Sequence, residues 1–116
     1  VVWFRRSGDD PQLSPWLRYR NHLHPAVHRA QDVLTAEPQK PWQLADIAEQ
    51  AHVSPRHLTR LFQQHLGISV RDYLEQLRLA VAEQWLIQGR GTEQAAMAAG
   101  FSSPRQLHRA RQRAAG

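Results

Sequence analysis

Between residues 54 and 67 the chain reads SPRHLTRLFQQHLG, and its apolar positions collect on one side of a helix. At about 100° per residue, Leu58, Leu61, Phe62 and Leu66 share one arc, while Arg56, Thr59, Arg60 and Gln63 share the opposite one. Ser54 is placed to accept a hydrogen bond from the first free amides, and Pro55 suits the first helical position because its missing N–H costs nothing there. Gly67 can take the left-handed conformation that closes the helix. The pattern predicts a short helix anchored by leucines that turns cations, hydroxyl and amide groups outward.

The same periodicity divides the rest of the chain. His24-Pro25 opens a helix to about Glu37, with Val27, Ala30, Val33 and Leu34 inward and Pro38 as its stop. Pro41-Trp42 leads into a second helix whose inward side is Leu44, Ile47, Ala48 and Ala51; the turn at His52-Val53 then delivers Ser54. Two short amphipathic helices joined by three or four residues make a helix-turn-helix. Ser69 and Asp72 have the form of a capping box, starting a long helix to about Gln88 with Val70, Tyr73, Leu74, Leu77, Val81, Trp85 and Leu86 on one stripe. Thr92 is the expected cap of a further alanine-rich helix to Ala99, and Ser103-Pro104 starts the last one.

An internal repeat ties these elements together. SPRHLTR at residues 54–60 returns 49 positions later as SPRQLHR at residues 103–109, and Gly67 returns as Gly116. The second turn is one residue longer than the first. The expected fold is therefore all-α and homeodomain-like: two helix-turn-helix subdomains, residues 24–67 and 92–116, joined by a linking helix over residues 69–88. That helix is roughly 28 Å long at ~1.5 Å per residue. Successive major-groove segments on one face of B-DNA lie about 34 Å apart, so the spacing suits two reading helices on adjacent segments.

The first 23 residues do not follow the pattern. Val1-Val2-Trp3-Phe4 is a β-prone run, and a lone strand is not stable alone. Residues 1–23 are expected to be a strand and arm left from an upstream domain, with Trp16 as a docking group and SGDDP as a turn.

Charge sharpens the picture. Residues 1–55 carry six Lys/Arg and six Asp/Glu, whereas residues 56–116 carry nine Arg and four acids, so the second half holds the whole net charge of +5. Fourteen of the fifteen basic residues are arginine, whose planar fork makes bidentate contacts with phosphate and guanine that lysine cannot. The absence of cysteine excludes disulfides and thiolate metal sites. His24 and His28 stand four apart but lack a convincing third ligand, so they read as a solvated helix start; no metal and no cofactor are expected. His65 reads as a packed histidine near a helix end, and Trp42 and Trp85 as core rather than base-stacking groups. No apolar run approaches the ~20 residues of a membrane span.

Residues 24–116 resemble the AraC-type DNA-binding domain of bacterial transcription regulators. The resemblance rests on SPRHLTRLFQQHLGISVRDYLEQLRLAVAEQWL, on AGFSSPRQLHR and on the interval between them. It implies sequence-specific binding of double-stranded DNA, transcription activation, a cytoplasmic setting, RNA polymerase as a further partner and an effector held by the upstream domain. VVWFRRSGDDPQLSPWL looks like the junction in the subgroup whose upstream domain is ThiJ/PfpI or amidotransferase-like. Carried onto matching positions, the family's base-reading residues are Arg56, Thr59, Arg60 and Gln63 in the first unit and Arg105, Gln106, His108 and Arg109 in the second. The helical wheel places Arg105, His108, Arg109 and Gln112 outward independently. Two departures stand out: Arg111 occupies the place of the aromatic anchor Phe62, and the segment that closes the family's domain does not follow Gly116, so a weakened second unit is expected.

Three function classes compete. An enzyme is not expected, because no nucleophile elbow, phosphate loop, paired acids or metal set is present. A protein-interaction module turning its arginines to an acidic partner is the alternative to DNA binding. Arg71 and Arg90 could reach phosphates, whereas Arg78, inside the linking helix, reads as structural.

Overall fold

The computed structural model describes residues 24–115; the expectations for residues 1–23 and for Gly116 lie outside the described residues. Among the described residues six helices follow one another: α1 (Pro25–Ala36), α2 (Leu44–Ala51), α3 (Pro55–Leu66), α4 (Val70–Ile87), α5 (Thr92–Ala99) and α6 (Pro104–Ala115). No strand occurs among the described residues, and no helix among them is long and apolar enough to cross a membrane.

The helix ends follow local chemistry. Ser54 Oγ accepts from the His57 amide at 3.1 Å, and Ser69 Oγ from the Asp72 amide at 3.0 Å. His24 is more than a solvated start: its Nδ1 accepts from the Ala26 amide at 3.1 Å and so caps α1. Gly67 closes α3 in the left-handed region at φ 74°. At α5 the expected cap shifts by one residue, since Gly91 is the N-cap and Thr92 is already helical. Ser54→Ala is expected to cost about 1 kcal/mol of stability, because the His57 amide then loses its acceptor; urea unfolding of the two proteins checks it.

Two separate cores form, rather than one shared core. The first gathers Val27, Leu34, Ile47, Leu58, Phe62 and Tyr73 with the first half of α4, down to Leu77. Phe62 and Tyr73 meet edge to face, with ring centroids 5.8 Å apart. The second core starts at Leu79 and contains Phe101 and Leu107 among Ala82, Ala95, Ala96, Ala99 and Ala110, with Trp85 and Leu86 packed against it. Helix α4 thus serves both units, each with a different length of itself. The single stripe expected on α4 omits Leu79, Ala80 and Ala82, which are also buried. A helix with neighbours on two sides needs more than one apolar stripe. Leu44, expected inward, is 39% exposed; it is the first residue of α2, where the helix has just left the α1–α2 loop.

In the second unit α6 runs unbroken to Ala115. Arg111 lies at the surface, where its Nε donates to Glu83 Oε2 at 3.0 Å. A guanidinium left unpaired in the core costs far more than one turned to solvent. Arg113 makes the tighter contact, donating from Nε and Nη2 to the two Glu75 oxygens at 3.0 and 2.7 Å. That hydrogen bond raises the Arg113 pKa further above its ordinary value.

Candidate nucleic-acid interface

Helices α3 and α6 are built alike. Each begins at a Ser-Pro pair whose serine hydroxyl accepts a backbone amide three residues on, from His57 in α3 and from Gln106 at 3.2 Å in α6. Each buries its fifth-position leucine, Leu58 or Leu107, and the residue three further on, Leu61 or Ala110. The leucines fix the rotation of each helix about its axis. The same rotation therefore turns Arg56, Thr59, Arg60 and Gln63 outward on α3, and Arg105, Gln106, His108 and Arg109 outward on α6. All eight are exposed.

Hydrogen bonding divides the arginines into two groups. Arg29 donates from Nε and Nη2 to the Ala51 carbonyl at 3.1 and 2.7 Å, satisfying the end of α2 just before the turn. Arg78 donates to the Pro38 and Lys40 carbonyls, and Arg111 and Arg113 hold acids of α4. Arg90 lies over the Trp85 ring, 4.7 Å from its centre. By contrast, Arg56, Arg60, Arg71, Arg105 and Arg109 make no hydrogen bond or ion pair among the described residues. Their guanidinium forks keep their bidentate donor capacity uncommitted among the described residues.

Two of the other outward residues have part of their capacity committed. Thr59 Oγ1 donates to the Pro55 carbonyl at 3.0 Å, which leaves its methyl group and oxygen lone pairs outward. Gln106 Oε1 accepts from the Ser102 amide at 3.4 Å, so this side chain helps cap α6 and keeps only its NH₂ group for other contacts. The sequence places Gln106 at the third helical position, where a capping glutamine is at home. Arg29 and Arg113 escape sequence reasoning altogether. Their partners are a carbonyl 22 residues away and a carboxylate 38 residues away, and no local spacing announces either.

Between the units lies a cleft of about 630 Å³. Thr59 lines it from α3, Gln106, Arg109 and Arg113 from α6, and Arg71 and Arg78 from α4. The two outward faces thus border a common, predominantly cationic depression, in which Glu75 is already paired with Arg113. The histidines gather elsewhere: the His24 and His65 rings lie 5.4 Å apart, and His24 and His57 6.4 Å apart. Among the described residues no group of three or more His, Cys, Asp or Glu is arranged to hold a metal ion.

Known proteins resemble this chain in sequence and fold. A helix-turn-helix domain family matches residues 47–116. The HTH-type transcriptional regulator GlxA of Rhizobium meliloti is 37% identical over 82 residues, which are 70% of this chain and 25% of that protein. The HTH-type transcriptional regulator ArgR of Pseudomonas aeruginosa is 33% identical over 104 residues, 89% of this chain and 32% of that one. The chain therefore spans about a quarter to a third of the curated relatives it matches. A crystal structure of a transcriptional regulator from Chromobacterium violaceum, described as containing an AraC-type DNA-binding domain, superimposes with a TM-score of 0.72 at 34% identity. That superposition covers 78% of this chain and 81% of the other. With its paired helix-turn-helix units, its duplicated Ser-Pro helix starts and these relatives, the chain belongs to the AraC-type helix-turn-helix family of DNA-binding transcription regulators.

Proposed function

We propose that this domain binds double-stranded DNA sequence-specifically, with α3 and α6 entering successive major-groove segments, and that it activates transcription. The observation that carries this reading is the matched pair of capped helices whose outward arginines, Arg56 and Arg60 on one and Arg105 and Arg109 on the other, have no partner among the described residues. Guanine offers two acceptors in the major groove that match an arginine fork, and phosphates supply the sequence-independent remainder of the affinity. Thr59, Gln63, His108 and the free amide group of Gln106 complete the reading set. Residues 1–23 serve as the linker to an upstream domain, of the ThiJ/PfpI type, that holds any effector. RNA polymerase is the protein partner, and the setting is the cytoplasm.

Selection of bound duplexes from a random DNA pool tests the proposal. The expected outcome is an asymmetric site with two conserved blocks, bound with a steep inverse dependence on salt. Arg109→Ala is expected to weaken recognition of one block and leave the footprint over the other intact. Uniform protection across both blocks in that variant contradicts the two-reader arrangement. Failure of duplex DNA to bind at all, with retention on an acidic protein surface, favours the interaction-module alternative.

A further inference from the structure

The changeover between the two cores falls on a single residue. Leu77 belongs to the first core and Leu79 to the second. Arg78, between them, leaves α4 sideways to meet the α1–α2 loop of the first unit. Its Nε donates to the Pro38 carbonyl at 2.8 Å and its Nη2 to the Lys40 carbonyl at 2.7 Å. That loop is itself held: the Lys40 amide donates to the Glu37 carbonyl at 3.2 Å, and Trp42 Nε1 donates to the same carbonyl at 2.8 Å.

The second unit reaches the same loop through its own turn. Gly100 ends α5 in the left-handed region at φ 94°, and a Cβ there would lie 2.8 Å from the Cα and O of Gln39 and 3.1 Å from Arg78 Nε. Backbone conformation alone does not demand glycine, since the equivalent helix end in the first unit is His52 at φ 63°, which is exposed. What separates the two turns is the Gln39 backbone lying against Gly100. One short loop thus touches the first unit, the linking helix and the second unit.

We infer that Arg78 and Gly100 are positioning residues that clasp the two units at one separation and rotation, so that the protein accepts a single spacing between its half-sites. The inference rests on the two-reader function proposed above. One inserted base pair moves the second half-site by about 3.4 Å and turns it by about 35° around the duplex. Hydrogen bonds between donor and acceptor tolerate only a few tenths of an ångström. A clasped pair of units cannot follow such a displacement, whereas units joined by α4 alone can flex toward it.

The test compares wild type with Arg78→Met and Arg78→Lys on three duplexes: the selected site, the same site with one base pair inserted between the blocks, and the first block alone. Wild type is expected to lose at least about tenfold in affinity on the insertion, because the second reader no longer engages. Arg78→Met is expected to bind the first block within about twofold of wild type while losing most of its preference for the selected spacing. A wild-type spacing preference in a folded Arg78→Met, or a wild type indifferent to the insertion, overturns the clasp. A second measurement needs no DNA. The chain has no cysteine, so spin labels on Gln64→Cys and Gln112→Cys report the separation of α3 and α6 directly. A narrow distance distribution that broadens in Arg78→Met supports the clasp, and an unchanged width refutes it. If the first block alone binds as tightly as the whole site, the two-reader function fails instead, and the label distances decide the clasp by themselves.

Discussion

Phe62→Ala is expected to destabilise the domain by about 3–5 kcal/mol, a large share of the ~5–15 kcal/mol that holds a small domain together. The ring is fully buried, sits edge-on to Tyr73 and shares its core with α1, α2 and the first half of α4. The core it belongs to draws side chains from α1, α2, α3 and α4, so the space it leaves is lined from several elements at once. Removing the ring forfeits both its transfer free energy and its contacts with that lining. Urea unfolding followed by far-ultraviolet circular dichroism measures the loss. A change below about 1 kcal/mol contradicts the packing described, because it implies a site able to collapse.

Arg60→Ala and Arg56→Ala are expected to weaken binding to the selected site by about 1–3 kcal/mol each where the fork is bidentate to guanine. Neither change touches the core, since both side chains are exposed and neither has a partner among the described residues. Stability should therefore stay within about 0.5 kcal/mol of wild type, as is usual for a surface substitution. Equilibrium binding to the selected duplex and to one of random sequence separates the two kinds of contact. Loss confined to the selected duplex identifies a base contact. Equal loss on both, together with a shallower salt dependence, identifies a phosphate contact that positions without reading.

Much of the fold was legible because its signals are local. Ser54-Pro55 and Ser103-Pro104 announce helix starts, Gly67 announces an end, and leucines three and four apart set the rotation of α3. The outward faces followed from the same rotation. Local signals were silent on what reaches across the chain. Arg29 meets Ala51 and Arg78 meets Pro38 through backbone carbonyls, which every residue carries and no pattern distinguishes. The second buried side of α4 was hidden because Leu79, Ala80 and Ala82 lie among other apolar residues and blur a one-sided reading. Gln106 was placed outward by the family resemblance and not by the helical wheel, and neither showed that its side chain also accepts from the Ser102 amide at the helix start.

The two cores have no buried side chain in common, although one helix feeds both. Substitutions in separate, non-touching clusters add rather than compound. A repeated unit built this way can change one copy without disturbing the packing of the other. The two copies differ in this way at the position held by Phe62 in the first and by Arg111 in the second: a buried aromatic anchor in one, a surface cation beside an alanine-rich core in the other. Under the two-reader proposal, each copy is thus free to acquire a reading preference of its own, while the loop beneath Arg78 and Gly100 keeps the pair in step.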